Sequence, residues 1–187
     1  MKTLIALTLF IFLFSCKEAE TKKEEPAIVS YDTITPEEIQ RAHDGTEGLR
    51  LEFKAEHTFE MYSVEVYKGK LADPDFTGNP LVGDAELVKL VKKACKEGVN
   101  FAGKYTLVHK DCGSMCEHIF VVDRTNGKVY DTQEPRDGKY GYHYKNNSRL
   151  LIANSEVFED DTMTSYSDLY ATPEVYVWES SDFKFLQ

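Results

Sequence analysis

Residues 100–131, NFAGKYTLVHKDCGSMCEHIFVVDRTNGKVYD, constrain the fold more tightly than any other part of the chain. Val and aromatic residues crowd two arms on either side of a cysteine pair, the composition of strands that pack on a pleated surface. The pattern predicts strands over 103–109, 118–122 and 128–131, with Cys112 and Cys116 in the loop between the first two. Asn126-Gly127 supplies the positive φ that the turn into the third strand needs.

The flanking sequence extends this core. Leu49, Leu51, Phe53 and Ala55 alternate with Arg50, Glu52 and Lys54, and Tyr62, Val64 and Val66 alternate with Ser63, Glu65 and Tyr67. Both runs have the period of a strand buried on one face, and residues 56–58 can join them as a hairpin. Asp84 can cap a helix over 85–97 that Gly98 stops, with Leu87, Val88, Leu90, Val91, Ala94 and Cys95 on one apolar stripe and lysines opposite. A shorter helix follows Thr35, with Pro36 at its first position and Glu38 completing a capping box. Leu150, Leu151 and Ile152 form a short buried strand, and 174–179 with 183–186 form a terminal hairpin. Strand follows strand through most of this order. The expected class is therefore α+β, a largely antiparallel β-sheet of about seven or eight strands with one main helix and one short N-terminal helix.

Residues 1–15 show a basic start at Lys2, an apolar run over 4–14 and the close Leu13-Phe14-Ser15-Cys16. The run is too short to span a bilayer, which takes roughly 20 residues, and reads as the h-region of a signal peptide. Its last four residues resemble the lipobox of bacterial lipoproteins, in which cleavage precedes the cysteine and the new terminus is acylated. The resemblance implies palmitate-like chains on the sulfur and amino group of Cys16. Residues 16–30 are then an acylated, disordered tether, because Lys17, Glu18, Glu20, Lys22, Lys23, Glu24 and Glu25 leave it nothing to bury, and 31–187 form a single globular domain. Acidic residues soon after the cysteine resemble the surface-export signals of some Bacteroidota lipoproteins. The implied address is the bacterial cell envelope, with the chain anchored by acyl chains to the outer membrane, on its periplasmic face or at the cell surface. A formal net charge of -10 is repelled by nucleic acid backbones, so no nucleic acid partner is expected.

Several separated pieces of the chain carry a second resemblance. Pro74-Asp75-Phe76, Gly98-x-Asn100-Phe101-Ala102-Gly103-x-Tyr105, Cys112-Gly113-x-x-Cys116 and Asp123-x-Thr125-x-Gly127-Lys128-Val129 occur in that order. Ser148-Arg149-Leu150-Leu151 and Tyr176-Val177-Trp178-Glu179 follow. Together they resemble a widespread group of small exported bacterial proteins. The resemblance runs from Pro74 to the C-terminal end; it implies an exported domain with a loop disulfide and carries over no catalytic residue.

Cys112 and Cys116 enclose a ring that Gly113 makes tight enough to close. A disulfide between them is expected in an oxidising compartment, with Cys95 paired to either one as the alternative. Left unpaired, Cys95 reads as a small buried apolar residue of the helix stripe. His109, Cys112, Cys116 and His118 would make a zinc set of two thiolates and two imidazoles, but their spacing matches no usual zinc-finger pattern, so no metal and no cofactor is expected. Tyr140, Tyr142, His143 and Tyr144 are the candidate ligand-binding residues. Aromatics in a loop recognise sugars, peptides or protein surfaces, while a spacing of two equally fits a strand whose tyrosines pack on one face.

The chain has no G-x-S-x-G, no H-E-x-x-H and no phosphate-cradling glycine loop. The leading expectation is a non-enzymatic binding or interaction module of the envelope, with an envelope protein or a surface ligand as partner. The alternative is a small hydrolase or thiol-redox enzyme with its site near the Cys112–Cys116 loop. Intact mass analysis of the native protein should find acyl mass on Cys16, and Cys16→Ser should abolish it and release the protein from the membrane fraction; an unmodified native terminus would refute the anchor.

Overall fold

The computed structural model describes residues 48–187 apart from 114, 115, 134, 136 and 137, together with Thr35, Glu37 and Gln40. The described strands are β1 (Arg50–Glu52), β2 (Tyr105–Gly113), β3 (Cys116–Asp123), β4 (Val129–Asp131), β5 (Tyr142–Tyr144), β6 (Leu150–Ala153), β7 (Ser165–Ser167), β8 (Glu174–Glu179) and β9 (Asp182–Phe185). They form a three-stranded sheet β2-β3-β4, a four-stranded sheet β5-β6-β8-β9 and the pair β1-β7, with every strand pairing antiparallel. The main helix α1 spans Ala85–Ala94 and tightens into a 3-10 turn at Cys95–Glu97. The class is α+β, as the sequence predicts.

Burial on both faces explains why β2 and β3 carry apolar residues at consecutive positions. Residues directly opposite in an antiparallel pair share a face. One face of the β2-β3 hairpin therefore presents Tyr105, Leu107, Ile119 and Val121, which pack on Leu151, Ala153, Tyr176, Trp178 and Phe183 of the four-stranded sheet. Its other face presents Val108, Phe120 and Val122, covered by Leu87, Val91 and Cys95 of the helix. The far face of the four-stranded sheet, Leu150, Ile152 and Val175, lies under Phe53, Phe59, Val157 and Tyr166. The order of layers is thus helix, three-stranded sheet, four-stranded sheet and an outer cover that includes β1-β7.

The helix begins and ends where its caps dictate. The Asp84 carboxylate accepts from the backbone N–H of Leu87 at 2.9 Å, and Gly98 leaves the helix at φ 95°. Lys110 of β2 pairs with the same carboxylate, which pins the helix start to the hairpin.

Three expectations are corrected. The strand expected over 49–55 is only Arg50–Glu52, and it pairs with Ser165–Ser167 rather than with the next segment. Residues 61–67 form no strand beyond a single bridge from Ser63 to Ser148. Their alternation reflects an extended leg half-buried on one side, with Val64 N–H donating to Asn147 O at 2.8 Å and Tyr67 N–H to Gly103 O at 2.7 Å. These are bonds to loops, so a local period of two arises without a ladder. The cysteines also lie within the strand ends, not in a break between strands, because Gly113 pairs with Cys116 across the hairpin. Of the short N-terminal helix only Thr35, Glu37 and Gln40 are described, all exposed and the last two helical. Its remainder, the signal segment, Cys16 and the tether lie outside the described residues.

The Asn-Phe-Ala-Gly stretch is the bracket that closes the open end of this hairpin. The Asn100 side chain accepts from Leu107 N–H at 2.7 Å and donates to Leu107 O at 3.0 Å, imitating one rung of a ladder. Phe101 and Tyr105 exchange backbone bonds at 3.0 and 2.9 Å around a loop in which Ala102 and Gly103 have φ of 43° and 78°. A Cβ on Gly103 would stand 2.5 Å from the Glu65 carbonyl oxygen. Gly103→Ala therefore combines left-handed strain with a backbone clash and should destabilise the fold by about 2–4 kcal/mol, read from the urea midpoint. An unchanged midpoint would show that the leg at 64–67 is not held against this loop.

Candidate functional site

The hairpin tip, where cysteine chemistry was anticipated, holds a disulfide. Cys112 and Cys116 are joined, with their Cα atoms 5.2 Å apart, both residues are exposed, and Cys95 is free and buried. A shallow depression of about 300 Å³ beside Cys116 is lined by Asp111, Glu117 and Glu156, with Lys139 as its cation. Carboxylates around a sulfur disfavour its thiolate, the opposite of what thiol exchange requires. Burial raises the pKa of the Cys95 thiol despite the nearby Arg124 charge, so that sulfur stays protonated.

The register separates the four residues weighed above as a zinc set. His109 is opposite Ile119 and His118 is opposite Lys110, which puts the two imidazoles on opposite faces of the sheet. His118 Nε2 lies 2.7 Å from the Asp131 carboxylate, while both sulfurs are consumed in the disulfide. No cluster of His, Cys, Asp and Glu suited to a metal occurs among the described residues.

His109 instead joins one of the candidate tyrosines. Its Nδ1 lies 3.0 Å from Glu117 Oε1, and its Nε2 lies 3.0 Å from the Tyr144 hydroxyl. The tautomer that satisfies all three groups has Nδ1–H donating to the carboxylate and Nε2 accepting from the phenol. Burial, reinforced by the Glu117 charge, raises the Tyr144 pKa, so the phenol keeps its proton. The neighbouring Tyr142 hydroxyl donates to Glu117 O at 3.1 Å. This carboxylate–imidazole–phenol chain is closed on itself and ties β5 to the central hairpin.

The tyrosine cluster is split by its strand. Tyr142 and Tyr144 face the space between the two sheets, whereas His143 points to the other face and meets Phe59 edge-on at 5.1 Å. Burial and then the Lys145 charge lower the His143 pKa, which keeps that ring neutral. Tyr140 leaves the strand altogether and rests against Tyr170 at 5.7 Å. The strand reading of this stretch is the one the structure bears out from Tyr142 to Tyr144.

A larger concavity lies elsewhere, at the base of the hairpin. A cleft of about 810 Å³ runs between the extended leg and the Asn-Phe-Ala-Gly loop, with Val64, Tyr67, Gly103, Tyr105, Arg149 and Trp178 among its walls. Lys104 and Lys68 contribute cations and Glu65 a carboxylate. Three of the sequence pieces singled out above meet here: Ala102, Gly103 and Tyr105 from the first, Arg149 from the second and Trp178 from the third. Their common place in the fold is invisible in the sequence, because 105, 149 and 178 stand on three different strands or their approaches.

Trp178 is buried beneath this wall, edge-to-face with Tyr105 at 5.5 Å and with Phe183 at 5.0 Å. Arg149 donates through Nη1 to Trp178 O at 3.1 Å, and its guanidinium carbon lies 5.9 Å from the centre of the Tyr62 ring. Lys104 is matched instead by Asp123, with 2.7 Å between Nζ and Oδ2. Burial works to raise the Asp123 pKa, but Lys104 and the hydroxyl and backbone N–H of Thr125 outweigh it and hold the carboxyl below its ordinary range.

Comparisons with protein-family models, curated proteins and solved structures find no match for the chain. No helix among the described residues is long and apolar enough to cross a membrane.

The Asp123 carboxylate gives the fold a defined acid dependence. A carboxyl whose pKa is depressed by folding contributes stability above its unfolded value of about 3.9 and loses it as pH falls through the folded value. Asp123→Asn should cost about 1–3 kcal/mol at pH 7, by leaving Lys104 and Thr125 without their acceptor charge, and should flatten the loss of stability in acid. Urea midpoints measured across the acid range check this; parallel curves for the two proteins would refute it.

Proposed function

We propose that the protein is a lipid-anchored binding module of the bacterial envelope whose ligand enters the cleft at the base of the central hairpin. The observation that carries the reading is a contrast between two places. At the hairpin tip, among the described residues, the cysteines are joined in a disulfide, His109 bonds Glu117 and Tyr144, and His118 bonds Asp131. At the base, a cleft of about 810 Å³ has Val64, Tyr67, Tyr105, Arg149 and Trp178 among its lining residues. That volume falls within the range of small-molecule sites, which are largely apolar with a few placed polar groups.

The enzyme alternative needs a nucleophile and a base in reach of one another within a concavity. Among the described residues the cleft walls include no His and no Cys, and the tip depression is shallow and acidic. An acyl anchor at Cys16 with a charged tether behind it suits a module that samples molecules close to the membrane.

A low-molecular-mass fraction of bacterial envelope extract should raise the thermal midpoint of the full chain by about 5–10 °C at saturating ligand, and Tyr67→Ala should reduce that shift. The reading fails if no fraction moves the midpoint, or if Tyr67→Ala responds as the wild type does. Net consumption of a compound from the extract, followed by mass spectrometry, would favour the enzyme instead.

A further inference from the structure

We infer that the cleft takes a small monocarboxylate with an apolar body, held through a two-pronged contact of its carboxylate with Arg149. The inference rests on the binding reading above and names its ligand class.

Arg149 keeps donors to spare where its neighbours do not. Acidic residues outnumber Lys and Arg by 32 to 22 in the chain; Lys104 pairs with Asp123 and Lys110 with Asp84, and buried Arg124, which has no carboxylate either, spends its donors on Ala72 O, Cys95 O and Thr106 Oγ1. Half-buried Arg149 has no carboxylate in ion-pair range among the described residues; a carbonyl oxygen and the Tyr62 ring are its contacts. Its backbone is clamped, with its N–H donating to Tyr62 O at 3.0 Å and its C=O accepting from Trp178 N–H at 2.9 Å. A guanidinium has five N–H donors in a rigid fork, and the Trp178 carbonyl engages Nη1 alone. The remaining donors match the two oxygens of a carboxylate, which is the strongest neutralising contact such a group can make.

The rest of the wall selects the body and the charge of the ligand. Val64 and exposed Tyr67 offer apolar and aromatic surface beside Arg149, with the buried rings of Tyr105 and Trp178 behind them. Lys68 adds a second cation at the rim, Lys104 is already neutralised by Asp123, and Glu65 supplies one opposing charge. A monoanion balances a single free fork. A phosphate dianion would set a second negative charge near Glu65 with no further buried donor to meet it, so inorganic phosphate is disfavoured.

The chain contains one tryptophan, Trp178, and it lines the cleft, so its fluorescence reports on occupancy. The test titrates the full chain with phenylacetate and octanoate, and with phenylacetamide and inorganic phosphate as controls, followed by Trp178 fluorescence and by calorimetry. The carboxylates should saturate, with the amide and phosphate at least about 10-fold weaker. Arg149→Gln should weaken phenylacetate by about 10-fold or more and leave phenylacetamide unchanged, while Arg149→Lys, which keeps charge but not the fork, should recover only part of the loss. Lys68→Gln, at an exposed position, should weaken the carboxylates about 2-fold. If the amide binds as tightly as the acid, or phosphate competes on equal terms, the carboxylate inference falls while the binding reading stands. If neither acid nor amide binds by either readout, the carboxylate inference falls, and an unmoved midpoint in envelope extract would remove the binding reading with it.

Discussion

The pairing of the Asn100 side chain with the main chain of Leu107 fixes where the central hairpin begins, and the arrangement of the layers depends on that point. With Asn100 in place, Phe101 enters the space between the sheets, where it meets Tyr144, Trp178 and Phe183. The chain must then reverse within a few residues, which forces Ala102 and Gly103 to positive φ. The same reversal brings Gly103 against the backbone of Glu65 and so draws the extended leg across the hairpin base. One short bracket thus sets the strand register, seats the largest buried ring cluster and creates one wall of the cleft.

A second set of contacts holds the helix to the other face. Arg124, only 3% exposed, reaches past the end of β3 to donate to Cys95 O at 2.6 Å, to Thr106 Oγ1 at 3.1 Å and to Ala72 O at 3.0 Å. A cation at the carbonyl end of a helix meets its negative pole, so the buried guanidinium is compensated by oriented dipoles instead of a carboxylate. At the opposite end of the helix Lys110 meets the capping Asp84. The helix is therefore tied down at both termini by the same hairpin, which leaves its Leu87–Val91–Cys95 stripe no freedom to slide.

How much of this was legible in the sequence follows from how local each cause is. The Asp84 cap, the apolar stripe and the Gly98 stop lie within one segment and all appear in the structure as read. The terminal hairpin and the Cys112–Cys116 link are equally local. The partner of β1 is not, because Ser165–Ser167 is too short and too polar to announce a strand, and only tertiary contact makes it one. The tyrosine stretch carried two readings, and the choice between loop and strand was made by Leu151 and Ala153 pairing alongside it. The cleft was the least legible feature. Arg149 stood between buried Ser148 and the apolar run at Leu150, a position where a charge is out of keeping with its neighbours, and that mismatch was the one local signal available.

The two ends of the hairpin differ in what the fold can do with them. Cys112 and Cys116 are exposed, so their disulfide closes a small ring at the surface without organising the core; a ring of this size removes little chain entropy. The base is surrounded by the bracket, the extended leg and the start of β6, all fixed by backbone bonds. Side chains held by such neighbours lose little further freedom when a ligand arrives, which lowers the entropic cost of binding. The acidic body also repels anions at long range, so an anion gains nothing from steering and must be selected by close contact. Salt would screen that distant repulsion more effectively than the half-buried pairing proposed at Arg149. The base of the hairpin, not its reactive-looking tip, is consequently where rigid geometry and uncompensated charge coincide.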